Sequence, residues 1–298
     1  MSLVIVGSIG LDTIETPVGK VTDALGGSAV YGSLAASYFT KALTVGVVGS
    51  DFPVEHIELL KKHNIGIDGL EIREGNTFRW SGKYENWNQA QTLDTQLNVF
   101  GDFNPILPES CQNCNSLLLG NIHPDLQLKV LDQIKSYKVV AADTMNYWIN
   151  GARDRLDEVI KRVDIVFINE DELKLYARER SVYTAAEVVL NMGPKLLVLK
   201  RGEYGSVLLG NDMMFFAPAY PVVEVKDPTG AGDSFAGGFM GYLAQTGEMT
   251  PHNLKEACLY GTVMAALNVS EFSVIKLANH PFEHIQVMQD ELKSWMKF

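Results

Sequence analysis

Short apolar segments alternate with helix-like segments along most of this chain, and this alternation restricts the fold more than any other feature. The strand-like segments lie at residues 3–7, 43–48, 116–119, 139–142, 165–168 and 196–199. The helix-like segments between them begin near residues 28, 54, 124, 151, 170 and 184. Successive strand–helix units build a parallel sheet with helices on both faces. The pattern therefore predicts an α/β fold with a central, mostly parallel sheet.

The last third of the chain completes this pattern with strands and then helices. Two short strands are predicted near Val207 and Phe215. Helices are predicted at 231–245, 251–267 and 281–295. The three closing helices add apolar surface to cover the sheet.

The alternation is interrupted by a region rich in threonine and aromatic residues. Residues 77–84 and 93–100 are both strand-like, and the polar residues 85–92 separate them. Two strands joined without a helix form an antiparallel hairpin. The chain shows no internal repeat, low-complexity tract or long linker. We therefore predict a single domain over residues 1–298 that carries a small β-sheet drawn from about residues 12–25 and 76–100.

The acidic composition excludes some classes of protein. The chain of 298 residues has a net charge of −11, which argues against a protein that coats nucleic acid. A local group of N–H donors can still bind phosphate on such a protein. No apolar run is long enough to span a bilayer. The opening residues carry no basic segment, so we expect them to form a strand rather than a signal peptide.

Cysteine and histidine spacing argues against a metal or disulfide framework. The three cysteines, Cys111, Cys114 and Cys258, provide neither a second pair for zinc nor an even number for disulfides. The six histidines show no H-x-x-H or H-E-x-x-H spacing, which argues against a zinc enzyme. We predict reduced thiols and a cytoplasmic location.

The most specific motif is the sequence DPTGAGDSFAGGF at residues 227–239. Gly230 and Gly232 flank the small Ala231 and lead directly into a helix, so N–H groups converge where the helix dipole is positive. This arrangement predicts an anion-binding turn. Asp233 stands at the start of the same helix, where a carboxylate can accept a proton from a hydroxyl group or simply cap the helix.

Five motifs resemble those of the ribokinase-like (PfkB) carbohydrate kinase family in their order and spacing. They are GSIGLD at 7–12, GG at 26–27, NEDE at 169–172, KRGEYGS at 200–206 and DPTGAGDSF at 227–235. The resemblance covers nearly the whole chain. It implies a ribokinase-like α/β fold with a β-sheet lid, ATP and Mg²⁺ as cofactors, and transfer of the γ-phosphoryl group of ATP to a hydroxyl group of a small sugar-like substrate.

The resemblance assigns the chemistry to the anion-binding turn. It implies that Asp233 is the general base and that Gly230, Ala231 and Gly232 supply N–H groups to the transferred phosphoryl group. Thr229, directly before the turn, is assigned to nucleotide binding. General-base catalysis contributes typically about 10²–10⁴-fold, so positioning and charge stabilisation must supply the rest of the rate acceleration.

Two further motifs are assigned to the nucleotide and the metal. In the family, the motif that Asn169 and Glu172 match organises Mg²⁺ and phosphate, often through water; the same spacing is also a helix capping box. Lys200 follows a predicted strand and is assigned to the ATP phosphates. Gly202 and Gly205 would then allow close backbone approach to the phosphates. The alternative is an ordinary hairpin with a solvated lysine.

Four residues are assigned to the substrate. The resemblance implies that Asp12 accepts substrate hydroxyl groups, and a carboxylate can accept two adjacent O–H groups; the alternative is a turn aspartate. Gly26 and Gly27 would let the backbone approach the substrate, or would only form the turn before a helix. Asn146 follows a predicted strand, which places it within reach of the cleft.

The predicted hairpin carries the aromatic residues Phe78, Trp80, Tyr84 and Trp87. In the family a β-lid closes over the sugar and in several members pairs two subunits. The aromatic rings would stack on a sugar or a nucleobase, form the lid's own core, or line the seam of a homodimer. Excluding water matters for a kinase because water competes with the acceptor for the phosphoryl group.

The sequence departs from the family pattern in places. The segment between Asp12 and Gly26 is shorter than in ribokinase, which puts ribose itself in doubt as the substrate. Many relatives carry Gly-Ala in the adenine pocket where this chain has Phe272 and Ser273, so Phe272 is expected to lie against the base. Gly261 replaces an asparagine of ribokinase.

Three alternatives to a sugar kinase remain from the sequence. A nucleoside kinase of the same fold would use the aromatic lid to hold a base. A non-catalytic ligand sensor is disfavoured because Asp233 and Glu172 are intact. A dinucleotide oxidoreductase is disfavoured because the sequence at residues 7–10 lacks the full G-x-G-x-x-G pattern.

Overall fold

The computed structural model describes residues 2–87 and 89–297. The strands are, in chain order, β1 (Ser2–Val6), β2 (Gly10–Thr16), β3 (Gly19–Gly26), β4 (Lys41–Gly49), β5 (Gly66–Arg73), β6 (Phe78–Asn86), β7 (Gln89–Gln96), β8 (Ser116–Leu119), β9 (Val139–Asp143), β10 (Ile165–Asn169), β11 (Leu196–Lys200), β12 (Ser206–Gly210) and β13 (Met213–Ala217). The helices are α1 (Ser28–Ser37), α2 (Val54–Lys62), α3 (Glu109–Gln112), α4 (Pro124–Leu131), α5 (Asn146–Gly151), α6 (Arg153–Ile160), α7 (Glu170–Ala177), α8 (Val182–Leu190), α9 (Ala231–Thr246), α10 (Pro251–Val269), α11 (Ile275–Ala278) and α12 (Phe282–Trp295).

The central sheet has nine strands in the order β13-β12-β11-β10-β9-β8-β1-β4-β5. Neighbouring strands from β5 to β11 pair in parallel, whereas β12 and β13 pair antiparallel at one edge. Strand–helix units over most of the chain therefore produce the parallel sheet, and hairpin connections extend it. The predicted α/β fold with a mostly parallel sheet is confirmed.

Both faces of the central sheet are buried, which explains the continuous apolar runs of its strands. In β1, Leu3 and Ile5 point to one face, while Val4 and Val6 point to the other. Helices α1, α9, α10 and α12 contribute to the core on the first face. Helices α4, α6, α7 and α8 contribute to the core on the second face.

The second sheet has four strands in the order β3-β2-β6-β7. Its centre is the parallel pair β2 and β6, in which Asp12 lies opposite Trp80. Asp51 anchors the start of β6 to the central sheet, since its Oδ1 accepts hydrogen bonds from the backbone N–H and the hydroxyl of Thr77. The small second sheet expected from the sequence is thus present beside the strand ends of the central sheet.

Two strands differ from the sequence expectation. The second strand of the hairpin is Gln89–Gln96 rather than 93–100, and Asn98–Asp102 forms a 3₁₀ turn. The polar residues expected to join the strands instead form the exposed start of β7, where polar side chains cost little. Strand β5 was not predicted because it is an edge strand, only partly buried, and lacks a regular alternation.

No helix in the described ranges is both long enough and apolar enough to cross a lipid bilayer.

Candidate active site

The carboxyl ends of the central strands bring polar side chains to one edge of the sheet, where open α/β sheets bind ligands. Strand β9 ends at Asp143, β10 at Asn169 and β11 at Lys200. Asn169 and Lys200 lie opposite each other in the parallel pairing. The amino end of α9, with Asp233 in its first turn, meets the same edge.

The turn before α9 has the backbone geometry of an anion-binding site. Gly230 adopts a left-handed conformation with φ of 77°, and a Cβ there would overlap the ring of Tyr31, so glycine is required. The N–H of Ala231 donates to the Pro228 carbonyl over 3.2 Å. The assignment of the Gly230, Ala231 and Gly232 N–H groups to the phosphoryl group stays a prediction. Within the described residues, Gly230 and Gly232 retain N–H groups without a backbone acceptor.

Asp233 and Asp12 are carboxylic acids with strongly raised pKa values. The pKa of Asp233 is raised to about 7, chiefly by burial and also by the charge of Asp143, while Lys200 opposes the rise. The pKa of Asp12 is raised to about 8, chiefly by burial and also by repulsion from Asp227 and Asp233. Asp12 is only 4% exposed. Asp12 is therefore mostly protonated near neutral pH, whereas Asp233 gains and loses its proton in that range.

Lys200 supplies the positive charge of the site. Its Nζ lies 2.9 Å and 2.7 Å from the two carboxylate oxygens of Asp143. A Cβ on Gly232 would lie 3.1 Å from the same Nζ, so the ammonium group stands beside the anion-binding turn. Burial opposes its charge, but Asp143, Glu172 and Asp233 raise the pKa of Lys200, which therefore stays protonated.

Asn169 and Glu172 form a complete capping box. The Asn169 side chain accepts from the Glu172 N–H at 2.8 Å, and the Glu172 carboxylate accepts from the Asn169 N–H at 3.0 Å. Burial raises the pKa of Glu172, and the charge of Lys200 opposes that rise. The alternative that this motif caps a helix is thus confirmed. Glu172 also lies close enough to Lys200 for the two charges to interact.

The donor set of the site suits a magnesium ion that arrives with phosphate. In the described part of the chain, no group of three or more His, Cys, Asp or Glu side chains is arranged to hold a metal. Mg²⁺ commonly keeps several waters and binds through one or two carboxylates together with substrate phosphates. Asp143 is bonded to Lys200, and the charge of Glu172 also acts on Lys200, so one or two carboxylates are present to fit such an ion.

The paired glycines before α1 make room for Asp12. A Cβ on Gly26 would overlap the Asp12 carboxylate. Gly27 has φ of 99°, and a Cβ there would overlap the carbonyl of Ser8. The Ser8 carbonyl in turn accepts from the N–H of Ala29 over 3.0 Å. Gly26 and Gly27 therefore hold α1 tightly against Asp12 of β2 and the loop that precedes this strand.

Residues that the sequence analysis did not select hold the anion-binding turn in place. Asp227 is fully buried and accepts from the N–H groups of Thr229 and Ser273. The Asn268 amide donates to the Thr229 carbonyl over 2.7 Å. The Thr229 hydroxyl donates to Tyr84 Oη on the second sheet over 3.1 Å, so Thr229 links the turn to the lid.

The remaining predicted site residues are Gly202, Gly205, Phe272 and Asn146. Gly202 and Gly205 form the β11–β12 turn with φ of 55° and 85°, and Gly202 is exposed. The Phe272 ring lies against Gly19 of the second sheet, where a Cβ would be 3.3 Å away. Asn146 is exposed at the start of α5 and lines a groove with Thr92.

Comparisons with known proteins place this arrangement in a family. The profile of the pfkB family carbohydrate kinases matches residues 3–280. A cytidine kinase from Thermococcus kodakarensis is 32% identical over 249 residues, covering 80% of this chain and 87% of that protein. The chain therefore belongs to the pfkB family of carbohydrate kinases, and it is a phosphotransferase that acts on a hydroxyl group of a sugar or nucleoside.

Solved structures share the fold of this chain. The nucleoside kinase of Methanocaldococcus jannaschii matches with a TM-score of 0.79 at 20% identity, covering 97% of this chain and 98% of that one. A putative ribokinase II from E. coli, solved with ATP and Mg²⁺, matches with a TM-score of 0.80 at 18% identity, covering 97% and 99%. These likenesses support the ribokinase-like fold.

Proposed function

We propose that this kinase transfers the γ-phosphoryl group of ATP to a ribose hydroxyl group of a nucleoside. The 32% identity with a cytidine kinase, over most of both chains, favours a nucleoside over a free sugar. The E. coli protein of the same fold was solved with ATP and Mg²⁺, which supports this donor and metal. A free sugar is the second candidate acceptor, because the family is named for carbohydrate kinases.

The observation that carries the proposal is that the Asp233 carboxyl group, the Lys200 ammonium group and backbone N–H donors lie together at the turn before α9. Asp233 accepts the proton of the attacking hydroxyl group. The N–H groups of Gly230 and Gly232 and the ammonium group of Lys200 stabilise the negative charge on the transferred phosphoryl group. Since the Ala231 N–H is already bonded to Pro228, the two glycine donors are the principal ones.

Asp12 orients the acceptor. Its carboxyl group lies against Gly26 and is electrostatically coupled to Asp233. Once ionised, its carboxylate accepts two hydroxyl hydrogens, which suits the adjacent 2′ and 3′ hydroxyl groups of ribose. Holding the sugar there leaves the remaining hydroxyl group to face Asp233 and the anion-binding turn.

Mg²⁺, when bound, neutralises charge on the ATP phosphates. Glu172 and Asn169 would hold it through water, at the helix start they cap. Their mutual hydrogen bonds keep the Glu172 carboxylate in one orientation beside Lys200. The capping function and the metal function are therefore compatible in the same pair of residues.

The proposal is tested by ADP release with Mg·ATP and a panel of nucleosides, pentoses, hexoses and sugar phosphates. We expect turnover with a nucleoside and a loss of about 10²–10⁴-fold in kcat for Asp233→Asn. Asp212→Asn is a matched control because Asp212 is exposed in the β12–β13 turn and should leave kcat unchanged.

Other outcomes separate the alternatives. Turnover with sugars alone would contradict a nucleoside acceptor and leave the assigned roles of Asp233 and the turn intact. ATP binding without turnover of any acceptor would contradict catalysis and favour a ligand sensor. An Asp233→Asn variant with full activity would contradict the assignment of the base.

A further inference from the structure

Helix α4 buries a glutamine among the apolar residues that pack against the central sheet. The buried residues of this helix are Pro124, Gln127, Leu128, Val130 and Leu131. Gln127 is only 1% exposed, and its Oε1 is buried without a hydrogen-bond partner among the described residues. A buried polar atom without a partner lowers stability. A leucine or methionine would fill the same space without that cost, so packing alone does not account for a glutamine here.

The Nε2 group of Gln127 joins the ends of two neighbouring strands. The parallel pairing of β8 with β9 ends at Leu119 and Ala142. Gly120 and Asp143 come next in the chain. Gln127 Nε2 donates to the Gly120 carbonyl over 2.9 Å and to the Asp143 carbonyl over 3.1 Å. One side chain therefore continues the link between the strands where their backbone pairing stops.

Gly120 is a fixed point for this link. Its N–H donates to the Val6 carbonyl of β1 over 2.7 Å, and its own carbonyl also accepts from the Ile122 N–H over 2.9 Å. A Cβ on Gly120 would lie 2.9 Å from the Val6 carbonyl oxygen, so glycine allows the close approach to β1. Gln127 therefore ties the Asp143 carbonyl to a part of the backbone that is already held.

The side chain of Asp143 extends the link to the active site. Its carboxylate oxygens lie 2.9 Å and 2.7 Å from Lys200 Nζ, and its Oδ1 accepts from the Thr144 N–H over 2.9 Å. The same Nζ would lie 3.1 Å from a Cβ on Gly232. Direct contacts therefore run from Gln127 through Asp143 to the ammonium group beside the anion-binding turn.

We propose that Gln127 is a positioning residue of this kinase, which holds the Lys200 ammonium group at the anion-binding turn by fixing the end of β9. The inference rests on the proposed role of Lys200 in stabilising the charge on the transferred phosphoryl group. A charged group that is already in place needs no rearrangement during the reaction. Displacing such a group by about 1 Å can cost as much as about 10²-fold in rate. Gln127 therefore acts on the rate of transfer through Asp143 and Lys200.

Gln127→Met tests this role, because methionine fills a similar space without a carboxamide. We expect kcat with Mg·ATP and cytidine to fall about 10-fold to 100-fold. The KM for cytidine should change by less than about twofold, because the lost interaction belongs to the transition state and the acceptor is held at Asp12. Gln127→Glu keeps the shape of the side chain and has at most one donor. This second variant should lose kcat in the same direction.

Gln133→Met is the matched control for loss of a buried glutamine contact. Gln133 follows α4, and its Nε2 donates to the carbonyls of Pro105 and Lys129 over 2.8 Å and 2.9 Å. Its Oε1 accepts from the Leu107 N–H over 2.8 Å. These partners are not residues of the site. Gln133→Met should therefore lower the melting temperature at least as much as Gln127→Met and leave kcat unchanged.

A double-mutant cycle shows whether Gln127 acts through Lys200. Lys200→Gln removes the ammonium group, so in that background Gln127→Met should change kcat by less than about twofold. The same cycle on the Kd of Mg·ATP, measured by calorimetry, needs no acceptor. Each single variant should bind Mg·ATP about twofold to tenfold more weakly, and the double variant no more weakly than Lys200→Gln alone. Losses that multiply in the double variant would overturn the proposal.

The results that overturn the role of Gln127 differ from those that overturn the role of Lys200. If Lys200→Gln lowers kcat while Gln127→Met keeps the wild-type kcat and Kd for Mg·ATP, the positioning role alone is overturned. Equal kcat losses in Gln127→Met and Gln133→Met would assign the effect to stability and overturn that role too. If Lys200→Gln changes neither kcat nor Kd, the proposed role of Lys200 is overturned and that of Gln127 with it. Turnover of ribose and not of cytidine would overturn the nucleoside acceptor, and the same comparisons made with ribose would still decide the role of Gln127.

Discussion

Asp233 can act as a base only after it has lost its own proton. Its pKa is raised to about 7, and that of Asp12 to about 8. We therefore expect kcat/KM for the acceptor to fall as the pH drops through this range, because kcat/KM reports groups of the free enzyme. The two carboxyl groups interact, so the acidic limb of a pH profile from 5 to 9 belongs to the pair.

The charged neighbours of Asp233 provide the control for its assignment as the titrating base. Asp143 raises the pKa of Asp233 and Lys200 lowers it. Asp143→Asn should therefore move the acidic limb to lower pH, and Lys200→Gln should move it to higher pH. A loss of activity in both variants with an unmoved limb would contradict Asp233 as the titrating base.

The sequence located site residues best where they follow an apolar strand or open a helix. Lys200, Asn169 and Asp233 satisfy that rule, and the structure brings all three to the same sheet edge. Asp143 also ends a strand, so the same rule would have found it, but Asn146 was selected instead. Tyr31 was not predictable, because it lies in an apolar helix and reaches Gly230 only through tertiary packing.

At the scale of elements, α10 supports the anion-binding turn that opens α9. Asn268 on α10 is 1% exposed, donates to the Thr229 carbonyl and accepts from the Ser234 hydroxyl. Asn268→Ala leaves both partners buried without a hydrogen bond, which costs about 1–3 kcal/mol per unsatisfied group. We expect a lower melting temperature and a kcat loss larger than that of Ser234→Ala.

Ser234→Ala is the matched control, since it removes one of the two bonds and keeps the contact between Asn268 and Thr229. Melting curves and steady-state kinetics of both variants separate stability from positioning. Equal kcat values in the two variants would mean that the turn holds its shape without Asn268. The sequence gives little sign of this support, because position 268 is a polar residue in a mostly apolar helix and its partner lies 39 residues earlier.

The element order was predictable, and the strand boundaries of the second sheet were less so. Strand β7 begins at Gln89, four residues before the expected start. Its polar residues are exposed on the lid, where no buried face imposes alternation. The pairing of Asp12 with Trp80 joins segments far apart in the chain and follows from no local pattern.

At the scale of the whole molecule, the buried carboxyl group of Asp12 lowers the free energy of unfolding once the pH rises above its ordinary pKa. The folded state holds the proton of Asp12 far more tightly than its ordinary pKa of 3.8 allows, at about 8. A raised carboxyl pKa means that the folded chain binds more protons than the unfolded chain between these two values. The free energy of unfolding therefore falls as the pH rises through that window.

Asp12→Asn removes this penalty and keeps the size of the side chain. Its gain in melting temperature over wild type should be near zero at about pH 3, below both pKa values, where the carboxyl group is mostly protonated in both states. At pH 8 the gain should reach at least about 2–4 °C, the shift that about 1 kcal/mol gives in a domain of this size. Differential scanning calorimetry at both pH values measures it, with exposed Asp212→Asn as the control. Since Asp12 is also proposed to orient the acceptor, a variant that is stabler at pH 8 and less active would show that catalysis and stability compete for this carboxylate. An equal gain at both pH values would instead place the effect in packing and contradict the buried charge as its cause.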